Sequence, residues 1–182
     1  MRRFTIVDAS VAAAASLEGV FQLQYPRLVS LLTRITGDRA RAEELASEVF
    51  WRLSKRPALF RPENNMDGWL YRTAVNLGLD TLRMEARRRL NEQAAGAQAA
   101  RAGTAGDPLD GLLRAEKRQR VQRVLAAMKP IAAKLLLLRH AGFSYGELAA
   151  VLGLNPGSVG TLLARATGEF EKRYRSMHGG EQ

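Results

Sequence analysis

Residues 91–110, NEQAAGAQAARAGTAGDPLD, constrain this chain more than any other stretch. They are rich in alanine and glycine and nearly free of large apolar side chains. Such a segment cannot bury enough surface to offset the entropy of ordering itself, so it reads as a tether. It divides the 182 residues into two small units, 17–90 and 112–178. The linker takes 91–111, a loose arm 1–16 and a tail 179–182. No run of alternating β-branched residues occurs on either side. The expected fold is all-α: two small helical domains joined by a flexible linker, the C-terminal one a helix-turn-helix.

The formal net charge of +10 favours a polyanionic partner, either nucleic acid or an anionic membrane. No apolar run approaches the roughly 18–20 residues of a membrane span, and membrane insertion is not expected. The start, MRRFTIVDASVAAAAS, has the early arginine pair of a signal peptide, but Asp8 interrupts it. There is no cysteine, and the two histidines, His140 and His178, lie far apart without metal-ligand spacing. Phosphate-cradling and nucleophile motifs are missing as well. No metal, cofactor, small-molecule substrate or catalytic residue is expected, so the chain does not read as an enzyme.

The N-terminal unit begins with a helical pattern at Val20, Phe21, Leu28, Leu31, Leu32 and Ile35, with Pro26 expected to start or kink it. Gly37 breaks the pattern and Asp38 suits the N-cap of the next helix. Ala42, Leu45, Ala46, Val49, Phe50 and Leu53 line that helix's inner side. Glu43, Glu44, Ser47, Glu48 and Trp51 fall on its outer side. That acidic face has two readings: helix solubility, or a docking surface for a basic partner. Pro57 ends the helix. In the loop after it Phe60, Asn64 and Asn65 could hold an unstacked base or simply make turns, and Asp67 could cap the third helix. Residues 69–89 read as one long helix. Leu70, Thr73, Ala74, Leu77 and Thr81 face a core. Trp69, Arg72, Asn76, Asp80, Arg83 and Arg87 share a neighbouring stripe. Aromatic, amide and guanidinium groups of that kind stack on bases and hold phosphates. An ordinary solvated face has the same spacing.

In the C-terminal unit, Val121, Val124, Leu125 and Met128 form a stripe ending at Pro130, and a leucine-rich helix runs over 131–140. Ser144 with Glu147 is a capping box. Gly153 suits a left-handed helix exit, and Asn155 with Pro156 opens the next helix. Val159, Leu162, Leu163, Ala166 and Phe170 face inward. A short capped helix, a glycine turn and a longer helix make a helix-turn-helix.

Both units resemble one family, the bacterial RNA polymerase sigma factors of the small extracytoplasmic-function (ECF) type. The first match includes Glu43-Glu44-Leu45, Glu48-Val49-Phe50 and the spacing W-L-x3-A-x-N-x3-D-x2-R from Trp69 to Arg83. The second includes Pro130, the Ser144-Tyr145-x-Glu147-Leu148-Ala149 start and Gly157-Ser158-Val159. The resemblance implies a cytoplasmic transcription initiation factor that binds core RNA polymerase and promoter DNA, with an anti-sigma factor as a further partner. It implies polymerase binding by Glu43, Glu44, Ser47, Glu48 and Trp51. Phe60, Asn64, Asn65, Trp69, Arg72, Asn76, Arg83 and Arg87 would hold the opened minus-ten strand. Ser144, Tyr145, Pro156, Gly157, Ser158, Thr161 and Arg165 would bind the minus-thirty-five duplex. Three places depart from the family. Ala46-Ser47 stands where it has x-Gln, no cation occupies Gly160 or Leu162, and Ile131, Ala132 and Ala133 stand where it has a basic residue just after Pro130. A sigma-derived helix-turn-helix regulator, or an interaction module that no longer initiates, is the alternative.

Overall fold

The structure, a computed structural model, describes residues 16–61, 63–94 and 108–178. Among them every regular element is helical: α1 (Leu17–Thr36), α2 (Arg39–Ser54), a 3-10 turn (Pro57–Phe60), α3 (Met66–Ala94), α4 (Pro108–Ala127), α5 (Pro130–His140), α6 (Tyr145–Leu152) and α7 (Pro156–His178). The all-α expectation holds. The arm and tail lie outside the described residues, except that Ser16 caps α1 through its hydroxyl, which accepts from Gly19 N at 3.1 Å. Pro26 sits within α1 rather than opening it.

Local chemistry sets most helix ends. The Asp38 carboxylate accepts from Ala40 N at 2.9 Å and Arg41 N at 3.3 Å, satisfying two donors that α2 leaves open. Asp38→Ala is expected to cost about 1 kcal/mol, read from denaturant midpoints at unchanged slope. α1 exits through Gly37 at φ 76°, whose N–H donates to Thr33 O at 2.8 Å. A Cβ there would stand 2.7 Å from Arg118 Cδ, so glycine serves both the left-handed backbone and a close approach of α4.

The start of α3 corrects the expected cap. Asn65, not Asp67, fills that place: its amide oxygen accepts from Gly68 N at 2.7 Å. Asp67 lies inside the first turn and turns toward α1, accepting from Gln24 Nε2 at 2.9 Å. Tyr71 OH donates to Gln24 Oε1 at 3.1 Å, completing a chain of polar groups beneath the helix.

α3 is also buried more widely than one stripe predicts. Leu70, Ala74 and Thr81 are buried, as expected, but so are Tyr71, Val75, Leu79 and Leu82. The reason is tertiary: α3 packs against α1 and α2 on one hand and α4, α5 and α6 on the other. The two units are thus closed on each other. The Tyr71 and Phe143 rings meet edge to face with centroids 4.9 Å apart. Gln122 Nε2 donates to Ile35 O at 3.0 Å and Thr36 O at 2.8 Å, covering carbonyls that the end of α1 leaves open. The expected linker is shorter at both ends, because α3 continues to Ala94 and α4 begins at Pro108. Residues 95–107 lie outside the described residues.

Candidate polymerase and nucleic-acid interfaces

The outer face of α2 presents Trp51, 58% exposed, beside Glu43, Glu44, Ser47 and Glu48. Each carboxylate has an arginine one turn away. Arg39 Nε pairs with Glu43 at 2.9 Å, Arg41 Nη1 with Glu44 at 2.7 Å, and Arg52 Nε with Glu48 at 2.8 Å. The face is therefore a set of ion pairs rather than an acidic patch. Exposed pairs of this kind contribute only about 0–1 kcal/mol each, so a cationic partner can take over the carboxylates at little cost. Ser47 Oγ donates to Glu43 O at 2.8 Å.

On α3 the helical period does align Trp69, Arg72, Asn76, Asp80, Arg83 and Arg87. Trp69 is half-buried against the core and carries the Arg56 guanidinium 5.4 Å from its ring centroid. Arg72 and Arg87 are exposed. Arg83 is turned into the C-terminal unit, where Nη2 donates to Met128 O at 3.1 Å and Nε to Ala126 O at 3.4 Å. Asn76 Oδ1 is buried without a hydrogen-bond partner. Arg83 is therefore covered by the C-terminal unit, while Asp80 beside it stays exposed.

That cover is not a comfortable one. A buried acceptor left unsatisfied costs about 1–3 kcal/mol. From α5, Lys134 comes down onto the same surface. Burial pushes its ammonium below the ordinary value; Asp80 opposes that shift, while Arg83 and Arg72 add to it. Reading the sequence missed Lys134, whose place depends on how α5 packs. At the far end of the seam a cavity of about 440 Å³ is lined by Arg83, Arg87, Arg89 and Arg123 above Leu90 and Met177. The seam thus gathers cations, two of them beside acids: Asp80 lies 3.9 Å from Arg83 and Glu85 3.8 Å from Arg89.

The loop before α3 uses its polar groups internally. Asn64 Nδ2 donates to Ala58 O at 2.7 Å, Asn65 caps α3, and Phe60 packs partly against the core. Beneath them, burial pushes the Asp67 carboxyl above its ordinary value of 3.8, while the Gln24 hydrogen bond and the Arg27 charge pull it down. An acid whose pKa is raised by folding favours the folded state at low pH, and that contribution is lost as pH rises through the raised pKa. Asp67→Asn is expected to be more stable than wild type near neutral pH. The gain should shrink as pH falls toward 3.8. Denaturant midpoints across this range check it, and a constant offset would contradict it. Burial also pushes the Tyr71 phenol up to about 12, which keeps it a donor to Gln24.

The helix-turn-helix has the expected geometry. Ser144 and Glu147 form a complete capping box, with Ser144 N donating to Glu147 Oε2 at 2.7 Å and Glu147 N to Ser144 Oγ at 3.3 Å. Gly153 turns at φ 66°. Asn155 Oδ1 accepts from Gly157 N at 2.9 Å where α7 opens at Pro156. Val159 is fully buried, Thr161 and Arg165 are exposed, and Ser158 is half-buried with its hydroxyl donating to Asn155 O. Tyr145 is 49% exposed.

Comparison with known proteins matches two parts of the chain to one family. The family model for sigma-70 region 2 matches residues 20–88, and that for sigma-70 region 4 matches residues 118–167. The chain belongs to the sigma-70 family. Region 2 covers α1 to α3, and region 4 runs from within α4 into α7. The ECF RNA polymerase sigma factor SigE of Mycolicibacterium smegmatis is 28% identical over 173 residues, covering 93% of this chain and 65% of that protein. The RNA polymerase sigma factor YlaC of Bacillus subtilis is 27% identical over 158 residues, covering 86% of this chain and 91% of that one. In fold the chain is similar to a sigma factor RpoE solved in complex with the anti-sigma factor NepR from Bartonella quintana. The TM-score is 0.51 at 18% identity, over 91% of this chain and 98% of that one. These relatives place the chain with ECF sigma factors. No helix among the described residues is long and apolar enough to cross a membrane, and no cluster of residues there could hold a metal ion.

Proposed function

We propose that this chain is a transcription initiation factor that acts with core RNA polymerase in the cytoplasm, by binding rather than by catalysis. The observation that carries this is a single helix, α3, bearing Trp69, Arg72, Asn76 and Arg83 on one stripe, in the same chain as a complete helix-turn-helix. Strand opening loses stacking of order 1–2 kcal/mol per base step. A protein without a fuel must offset that with contacts present only after opening. Stacking on an aromatic contributes roughly 1–3 kcal/mol per base, and guanidinium groups hold phosphates in register.

In this reading residues 17–90 dock polymerase through Glu43, Glu44, Ser47, Glu48 and Trp51. They hold the opened strand through α3, with Phe60, Asn64 and Asn65 at its edge and Arg87 beyond. Residues 112–178 bind duplex through Ser144, Tyr145 and the first turns of α7, Pro156 to Arg165. Because Arg83 is bonded to Ala126 O and Met128 O and Asn76 Oδ1 is buried, the two units must part before this part of α3 can meet DNA. The orphaned Asn76 oxygen lowers the cost of parting. An anti-sigma factor would be a partner that acts on this closure.

Co-purification with core polymerase, and then run-off transcription on genomic fragments, tests the proposal. Discrete transcripts that need the chain are expected. Retention on polymerase without any transcript would favour the second reading, an interaction module that no longer initiates. Its specific support is the recognition helix, which carries no cation at Gly160 or Leu162.

A further inference from the structure

The cavity at the far end of the seam has a lining that strand binding does not account for. Its volume of about 440 Å³ lies within the roughly 300–1,000 Å³ of small-molecule sites. Both units build it. α3 supplies Arg83, Arg87, Arg89 and Leu90, α4 supplies Arg123, and α7 supplies Met177; the rest of the described lining is alanine.

The apolar part is aliphatic and left largely in water. Leu90 is 65% exposed and Met177 45%, so a chain of methylenes laid over them removes apolar surface from solvent. The polar part is cationic. Arg83 is engaged by Ala126 O and Met128 O, and Arg89 stands 3.8 Å from Glu85. Arg87 and Arg123 are exposed, and neither makes an ion pair or hydrogen bond with a described residue. One belongs to each unit, so closure brings two uncompensated like charges to one cavity. An anion between them offsets that repulsion and accepts charge-assisted hydrogen bonds from both.

The same lining narrows the ligand. Among the described residues no aromatic ring, carboxylate or amide side chain takes part. A nucleotide would find guanidinium groups for its phosphates but nothing to stack on its base or read the base edge. A flexible aliphatic chain ending in one anionic group is matched at both ends.

We propose that this cavity binds a single-chain aliphatic carboxylate of the fatty-acid class, its head group at Arg87 and Arg123 and its chain on Leu90 and Met177. The ligand touches both units and favours the closed chain, which holds α3 back from promoter opening. That consequence rests on the reading of the chain as an initiation factor; the binding itself does not.

The test is calorimetric titration of the full free chain with potassium dodecanoate below its micelle concentration. One site per chain is expected. Octanoate should bind more weakly, by up to about fourfold per methylene removed. Dodecanol has the chain without the charge and should lose at least about tenfold, as should Arg123→Gln with dodecanoate. Ala127→Phe fills the cavity from an exposed position on α4 and should abolish binding. In run-off transcription dodecanoate should lower transcripts made with the wild-type chain and spare those made with Ala127→Phe. No binding, dodecanol bound as tightly as dodecanoate, or many sites indifferent to Arg123→Gln would overturn the proposal. Binding to phosphatidylglycerol vesicles without binding of free dodecanoate would also overturn it, since that marks a membrane surface. Dodecanoate bound at one Arg123-dependent site in a chain that yields no transcript would leave the site standing and remove the functional reading.

Discussion

Exchanging Glu44 and Glu48 for lysine together is expected to abolish stable binding to core polymerase, at least about a hundredfold in affinity, while the domain stays folded. Both carboxylates are on the outer face of α2, and each is held only by an arginine on its own helix, Arg41 or Arg52. Losing those exposed pairs costs the fold little. At an interface the balance differs. A carboxylate desolvated against a cationic partner and then removed costs about 2–5 kcal/mol, and a reversed charge adds repulsion. Trp51, exposed beside them with Lys55 Nζ 5.8 Å from its ring, supplies the aromatic anchor that such interfaces favour. Thermal melting checks the fold, and sedimentation with core polymerase checks the complex. Retained affinity in a folded variant would reduce this face to a solubility feature.

The second large effect concerns α3. Arg83→Ala is expected to leave polymerase binding intact and to reduce open-complex formation on a linear promoter by about 10- to 100-fold, the worth of one charge-assisted contact. Asn76→Ala separates function from stability. In the closed structure Asn76 Oδ1 is buried without a partner. Removing it should leave the free protein as stable or more so, yet impair opening. A template carrying a pre-melted bubble should restore part of the activity of both variants, because it supplies the step they lack. Normal opening by both would make this stripe an ordinary helix face.

How far these residues can be read from sequence depends on the range of the interactions that set them. The caps at Asp38, Ser144 and Asn155 and the turns at Gly37 and Gly153 are legible, because each depends on groups within a few residues. The core stripe of α2 is legible for the same reason. At the start of α3 two good capping residues, Asn65 and Asp67, compete. The choice is made by Gln24, which is far away in sequence and claims Asp67. The outer face of α2 reads as acidic only while its arginines are left out, although Arg39, Arg41 and Arg52 stand three or four positions from their partners.

The closure between the two units is not legible. Phe143 lies between the helix read over 131–140 and the capping box at Ser144, outside any predicted stripe, yet it is fully buried against Tyr71. Gln122 carries no signal in the sequence pattern, yet its amide is buried on the last carbonyls of α1. Both positions are fixed by contacts between segments on opposite sides of the linker, and no periodicity encodes such contacts. The same closure explains why α3 carries more apolar residues than one buried stripe requires.

The central claim is that Arg83 and Asn76, in the proposed strand-binding stripe of α3, are covered in the free chain and uncovered on polymerase. The distance between the two units tests it most directly. The chain has no cysteine, so Ser30→Cys on α1 and Ser176→Cys on α7, both exposed, accept a donor–acceptor dye pair. The labels should report one short distance in the free protein and a longer one once core polymerase is added. Arg83→Ala, which removes the bonds to Ala126 O and Met128 O, should shift the free protein partway toward the longer distance. An unchanged short distance in a polymerase complex that opens promoters would contradict the account.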